Sequence, residues 1–182
     1  MALNKTAKLI LAVIICQLAG VLGSLFTSPS IQTWYASINR SALSPPNWVF
    51  APVWITLFLL MGISLYLIWA SKDNSIDNKL IVKKSRLKNK LVIKASINPL
   101  KKAALIFFSI QLALNILWSI IFFGLHNIWL AFLEIILLWA FILLTIIKFY
   151  KISKQSAYLL VPYLLWVSFA AVLNLSLWMA NA

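Results

Sequence analysis

The stretch Ser44-Pro45-Pro46-Asn47-Trp48-Val49-Phe50-Ala51-Pro52-Val53-Trp54, continued by an apolar run from Ile55 to Trp69, decides the class of this chain. From Asn47 to Ala70 it carries no Asp, Glu, Lys or Arg. At about 1.5 Å of rise per residue such a run crosses a hydrocarbon core of about 30 Å as a single helix. Its first part is unusual: Pro45, Pro46, Pro52, Trp48 and Trp54 crowd a place where an ordinary span carries Leu, Ile and Val. The Pro pair presets an extended approach to the helix. Pro52 lacks an N–H and frees a carbonyl one turn earlier, so the sequence predicts a kink there. Trp54, Phe58, Met61 and Leu65 recur at helical spacing and point an aromatic and thioether stripe in one direction, a pattern that serves helix packing or a ligand wall.

The rest of the chain agrees with a membrane protein. Of its 182 residues 63% are hydrophobic and 10% charged, with a mean hydropathy of +0.96. Those values lie outside the soluble globular range. Five apolar runs, roughly 7–26, 47–70, 103–123, 128–149 and 156–179, predict an all-α polytopic bundle of five transmembrane helices, forming one domain over residues 1–182.

The net charge of +13 would suggest nucleic acid in a soluble protein, but its distribution points elsewhere. Lys5 and Lys8 precede the first run, a basic stretch over 71–102 separates the second and third, and Lys148, Lys151 and Lys154 flank the turn between the fourth and fifth. Only Arg40 falls on the other side. The positive-inside rule then predicts a cytoplasmic N-terminus, with the lysines serving topology and contact with membrane lipids, not nucleic acid. Helical spans favour a bacterial inner membrane, because outer-membrane spans are barrels. Within 71–102, which contains Asp73 and Asp77, Leu80, Leu87 and Leu91 can share the face of a basic amphipathic helix on anionic lipid; disorder is the other reading. Residues 1–26 resemble a secretion signal in having lysines before an apolar run. No A-x-A site follows, however, and Ile15 before Cys16 spoils a lipoprotein site, so the segment reads as the first span.

Polar residues inside the runs mark the site. Ala19, Gly20, Gly23 and Ser24 in the first run let another helix approach closely, within the chain or across a dimer. The first loop, 27–44, carries Pro29, Trp34, Tyr35 and Arg40 and is longer than a tight helical turn requires, so it reads as a cover or as an interfacial aromatic belt. Gln111, Asn115, Trp118 and Phe122 share one face of the third run, and amides in hydrocarbon need partners. Glu134 in the fourth run is a functional candidate, a structural hydrogen-bonding group or a group reaching the surface. The fifth run carries Pro162, Tyr163, Trp166, Ala170, Leu173 and Asn174. Counting 1.5 Å per residue places Trp54, Asn115, Trp118, Glu134 and Asn174 in the same half of the membrane as the first loop. An apolar, aromatic cavity with a few convergent polar groups under a loop has the chemistry of a small-molecule site.

Other chemistries lack their residues. One His, one Cys and three acidic residues leave no multi-ligand metal site, and four glycines spell neither a P-loop nor a dinucleotide fingerprint. His126, in a short turn after Gly124, reads as a loop histidine and not as an axial haem ligand. Cys16 has no partner for a disulfide and reads as packing.

Taken in order, these residues resemble the TspO/MBR family, the translocator or tryptophan-rich sensory proteins. The likeness rests on Trp34-Tyr35, on Pro45-Pro46-Asn47-Trp48-Val49-Phe50 with Pro52-Val53-Trp54, and on Met61-Gly62. It continues through Gln111-Leu112-Ala113-Leu114-Asn115 with Trp118, Phe122-Phe123-Gly124, Pro162-Tyr163-Leu164-Leu165-Trp166, and Leu173-Asn174 with Trp178. The resemblance implies a five-helix bundle, often a homodimer, that binds protoporphyrin IX, haem or related tetrapyrroles as ligand and requires no cofactor. It implies a ligand-binding set of Trp34, Phe50, Ala51, Trp54, Asn115, Trp118, Trp166, Ala170 and Leu173. Trp54 and Trp166 match the tryptophans implicated in light-dependent porphyrin breakdown by bacterial members, which would make those two catalytic. A bundle that uses its aromatic residues for packing alone is the remaining alternative.

Three departures from the family pattern bear on function. The sterol motif of animal members needs a Tyr and then a basic residue where this chain has Leu175 and Met179, which argues against sterol binding. Leu43 replaces a tryptophan common before the Pro pair, a change that loosens the expected lid. The stretch 71–102 is longer and more basic than is usual for the family.

Overall fold

A computed structural model describes residues 4–71 and 99–182. The amphipathic reading of Leu80, Leu87 and Leu91 lies outside the described residues. Five helical segments long and apolar enough to cross a membrane are present, and no strand occurs among the described residues. Helix α1 is Lys5–Ile31, α2 is Trp34–Ser37, α3 is Phe50–Ala70, α4 is Pro99–Ser119, α5 is Ile128–Tyr150, α6 is Lys154–Leu159 and α7 is Val161–Asn181.

The helix ends differ from the sequence expectation in ways their chemistry explains. Helix α1 starts at an Asn4 cap whose Oδ1 accepts from Ala7 N at 2.7 Å, and it continues through Pro29 to Ile31, past the expected end near residue 26. Hydroxyls sustain that extra turn: Thr27 Oγ1 donates to Gly23 O at 3.1 Å and Ser30 Oγ to Phe123 O at 2.7 Å. The covering loop is correspondingly shorter, and part of it is the turn of helix α2.

Pro52 stands in the first turn of α3, directly after a 3-10 turn over Asn47–Val49, and not within the helix body. The first N–H groups of a helix have no intrahelical partner, so proline is tolerated there, and Pro52 marks the start of α3 just after the change from 3-10 to α geometry. Pro162 likewise stands at the start of α7, because the fifth span is broken at Leu160 into α6 and α7. Helix α4 begins at Pro99, earlier than expected, and ends in a π turn over Ile120–Gly124 closed by Leu125 N to Ile120 O at 2.8 Å. Such widened turns concentrate at functional sites. The turn that follows holds His126 at φ 55°, in the left-handed region.

Helix α1 packs between α3 and α4, α4 beside α5, and α5 beside α7, while α6 fills the space between α3 and α5. The core runs through Cys16, Met61, Phe108, Ile142, Phe149, Tyr163 and Val167, all buried. Two glycines permit the closest approaches. A Cβ on Gly62 would lie 2.6 Å from Val13 Cα, and one on Gly20 2.6 Å from the Phe58 ring. On α1, Gly20 therefore serves packing inside the chain.

All the lysines of the described residues gather at one end of the bundle. Lys8 lies over the Trp69 ring at 5.8 Å and Lys148 over Phe107 at 5.7 Å. Lys101 is buried, and its Nζ donates to Trp69 O at 3.2 Å and Ser71 O at 2.8 Å, closing the carbonyl end of α3 where a cation is favoured. This basic end lies opposite the lid end formed by α2, the loop to Asn47 and the tip of α7.

Candidate functional site

A cavity of about 410 Å³ opens beneath the lid end, within the volume range of small-molecule sites. Four helices build it. Helix α1 contributes Gly20, Gly23, Ser24 and Thr27; α3 contributes Phe50, Ala51 and Trp54; α4 contributes Asn115 and Trp118; α7 contributes Trp166, Ala170 and Leu173. Tyr35 of α2 forms part of the roof and is 4% exposed.

Aromatic rings make the walls. Phe50 meets Trp166 edge-on at 6.2 Å, and Trp54 meets Tyr163 edge-on at 6.3 Å, so rings span the gap between α3 and α7. Trp118 stacks on Phe122 at 4.9 Å. A surface of this kind offers flat, polarisable faces to a flat ligand.

The amides of α4 and α7 are used to fix these walls. Asn115 Nδ2 donates to Tyr163 Oη at 2.9 Å, and Trp118 Nε1 donates to Asn174 Oδ1 at 3.2 Å, while Asn174 Nδ2 reaches Ile128 O at 2.9 Å. Away from the cavity Trp139 Nε1 donates to Ser168 Oγ at 2.8 Å. The polar face of α4 thus finds its partners on α7, and Gln111, deeper, directs its Nε2 toward Met61 Sδ at 3.9 Å.

Of the residues expected around a ligand, Phe50, Ala51, Trp54, Asn115, Trp118, Trp166, Ala170 and Leu173 line this one cavity. Trp34 does not. It stacks on His126 at 4.4 Å and meets Phe122 edge-on at 5.4 Å, on the outer side of the roof, while its neighbour Tyr35 faces in. Glu134 lies off the cavity, 7% exposed, with neither carboxylate oxygen hydrogen-bonded, so it neither reaches the surface nor bridges helices.

Sequence reasoning passed over two parts of the site. The small residues of α1 signal packing in the sequence, yet Gly20, Gly23 and Ser24 also wall the cavity. Asn47 lines the cavity with its Oδ1 buried and unpartnered. The signal for Asn47 was its place directly after the Pro pair, where no regular helix supplies a partner for the amide.

The sequence profile of the TspO/MBR family matches residues 12–179. The chain belongs to the TspO/MBR family. It is 38% identical over 175 residues to the tryptophan-rich protein TspO of Archaeoglobus fulgidus, covering 96% of this chain and 97% of that one. It is 34% identical over 180 residues to the protein of the same name from Chlorobaculum tepidum, covering 98% of each. The human translocator protein is 31% identical over 159 residues, covering 87% of this chain and 81% of the human one. With five apolar spans and these relatives, this TspO/MBR member is an integral membrane protein.

Proposed function

We propose that this protein binds a tetrapyrrole of the protoporphyrin IX type in the cavity beneath the lid, and acts in porphyrin sensing, sequestration or transport. The observation that carries the reading is that Phe50, Trp54, Trp118 and Trp166 converge on one cavity whose amides, apart from Asn47, are already paired. A macrocycle presents two apolar faces to stack on indoles and a polar edge to meet the amide of Asn47. In this reading the protein sits in a bacterial inner membrane with its basic end at the cytoplasm and its lid outward, an orientation that the lysine distribution supports.

A second reading, light-driven porphyrin breakdown, is favoured by the placement of Trp54 and Trp166 on the same cavity, where both electron-rich rings stand beside one ligand. One experiment separates the readings. The purified protein is mixed with protoporphyrin IX, and the porphyrin absorption band is followed in darkness and under light for the native chain, Trp54→Phe and Trp166→Phe. A saturable band shift with the porphyrin intact under light supports a binding protein. Bleaching that disappears in either variant supports the enzyme. No saturable shift leaves a bundle whose aromatic residues only pack, and sinks both.

A further inference from the structure

We propose that the ligand reaches this cavity sideways from the bilayer, through a slot between α1 and α3 in the lid-end half of the membrane, and not through the lid. The inference deepens the binding function proposed above and rests on it for the identity of the ligand, though not for the existence of the slot.

The slot follows from how α1 changes partner along its length. Near the basic end α1 lies against α3, with Val13 backbone at Gly62. Gln17 Nε2 then donates to Ile55 O at 3.1 Å, the hydrogen bond nearest the lid that joins α1 to α3 among the described residues. Above it α1 turns to α4. Gly23 faces Ser119, where an added Cβ would lie 3.1 Å from Oγ, Phe26 lies against Gly124, and Ser30 bonds Phe123 O at 2.7 Å. The antiparallel register set by Val13 with Gly62 and Gln17 with Ile55 brings Ser24 level with Ala51 and Ser28 level with Asn47. All four line the cavity, and Ser24, Ser28 and Ala51 are small and exposed.

The rim is open to the outside of the bundle. Val21 and Ile55 line the cavity and are also 53% and 60% exposed. Side chains bridge the gaps on the α7 side. Phe50 meets Trp166 and Trp54 meets Tyr163 across the gap between α3 and α7, and the bonds of Asn115 and Trp118 join α4 to α7. The lid is tied down at both ends. Asn39 N donates to Asn181 Oδ1 and Asn181 Nδ2 donates back to Asn39 O, both at 2.9 Å, Ser41 and Ser176 hydroxyls meet at 2.6 Å, and Tyr35 is buried against Phe122 and Phe123.

A narrow opening walled by small side chains admits a flat molecule edge-on, and an apolar macrocycle is already concentrated in the bilayer. The slot floor, Gln17 with Ile55 O and Phe58 against Gly20, then stops it at the level of Trp54.

Two paired-cysteine variants of the full chain in lipid vesicles test this, with buried Cys16 left in place. Ser24→Cys with Ala51→Cys, bridged by a short reducible thiol linker, closes the slot; Ser41→Cys with Ser176→Cys, bridged likewise, locks the lid. Protoporphyrin IX is preloaded into the vesicles, and its uptake and release are followed by tryptophan quenching. Closing the slot is expected to slow both rates by at least about tenfold, reversed by reducing the linker, while locking the lid changes them by less than about twofold. Slowing by the lid bridge and not by the slot bridge overturns the proposal.

A second measurement needs no porphyrin. A nitroxide attached at Ala51→Cys is expected to collide more with oxygen, which concentrates in lipid, than with a water-soluble nickel chelate. Preferential access by the chelate would mean the slot opens to water and would likewise overturn the proposal. If no variant binds porphyrin while the nitroxide reports lipid, the ligand assignment fails and the slot stands.

Discussion

The bond from Asn115 Nδ2 to Tyr163 Oη joins the cavity wall to the buried core, and the structure makes its two ends unequal. Tyr163 is 0% exposed, whereas Asn115 is 7% exposed and lines the cavity. Replacing Asn115 by Leu, of similar branching but without the amide, strands the wholly buried Tyr163 hydroxyl, which costs about 2 kcal/mol from the usual range for an orphaned buried polar group. Replacing Tyr163 by Phe strands the Asn115 amide instead, but that amide borders a cavity and can turn into it, so about 1 kcal/mol is expected. Hydrogen bonds between helices in membranes average about 0.6 kcal/mol and reach about 1.7, and a coupling of about 1 kcal/mol belongs in the upper part of that range because one end is wholly enclosed. Reversible unfolding in mixed micelles, run on both single variants and the double, measures all three quantities. A coupling near zero, or Tyr163→Phe costing more than Asn115→Leu, would refute the claim that Asn115 finds its partner on α7 and would leave the wall unsupported.

Two further outcomes follow from single side chains. Gly62→Ala forces a Cβ to within 2.6 Å of Val13 backbone, which no rotamer can relieve, so α1 and α3 must separate and stability should fall by about 1–3 kcal/mol in the same unfolding assay. Asn47→Leu should separate stability from binding. Removing an unpartnered buried oxygen leaves stability unchanged or raised, while porphyrin affinity measured by fluorescence titration falls by about five- to tenfold, one lost hydrogen bond.

Much of this fold is legible in the sequence because the bilayer imposes so simple a rule. Apolar runs of sufficient length must become helices, and the 3.6-residue period then places Trp54, Asn115, Trp118 and Trp166 on inward faces without knowledge of their neighbours. What stays hidden depends on ends and partners. Pro52 reads as a kink until it is seen to occupy a first turn, because the 3-10 turn that begins the helix leaves no hydropathy signature. Thr27, Pro29 and Ser30 read as loop, since their composition does not show that hydroxyls on Gly23 O and Phe123 O carry the helix onward. Trp34 and Tyr35 are adjacent aromatics on a short helix, about 100° apart, and only the packing of Trp34 on His126 and of Tyr35 on Phe123 decides which faces the cavity. The small residues of α1 signal close approach, but the same pattern serves a helix contact near Gly62 and a cavity wall near Gly23.

The central claim is that the cavity between α1, α3, α4 and α7 holds the ligand. Ala170 lines that cavity, so Ala170→Trp fills it from one wall without cutting any hydrogen bond described above. Calorimetric titration of protoporphyrin IX into the native chain and into Ala170→Trp, with both unfolding at the same temperature, tests the claim most directly. The account predicts saturable binding of about one porphyrin per chain, weakened at least about tenfold in Ala170→Trp. Equal affinity in the two proteins, or no saturable binding to the native chain, would contradict it.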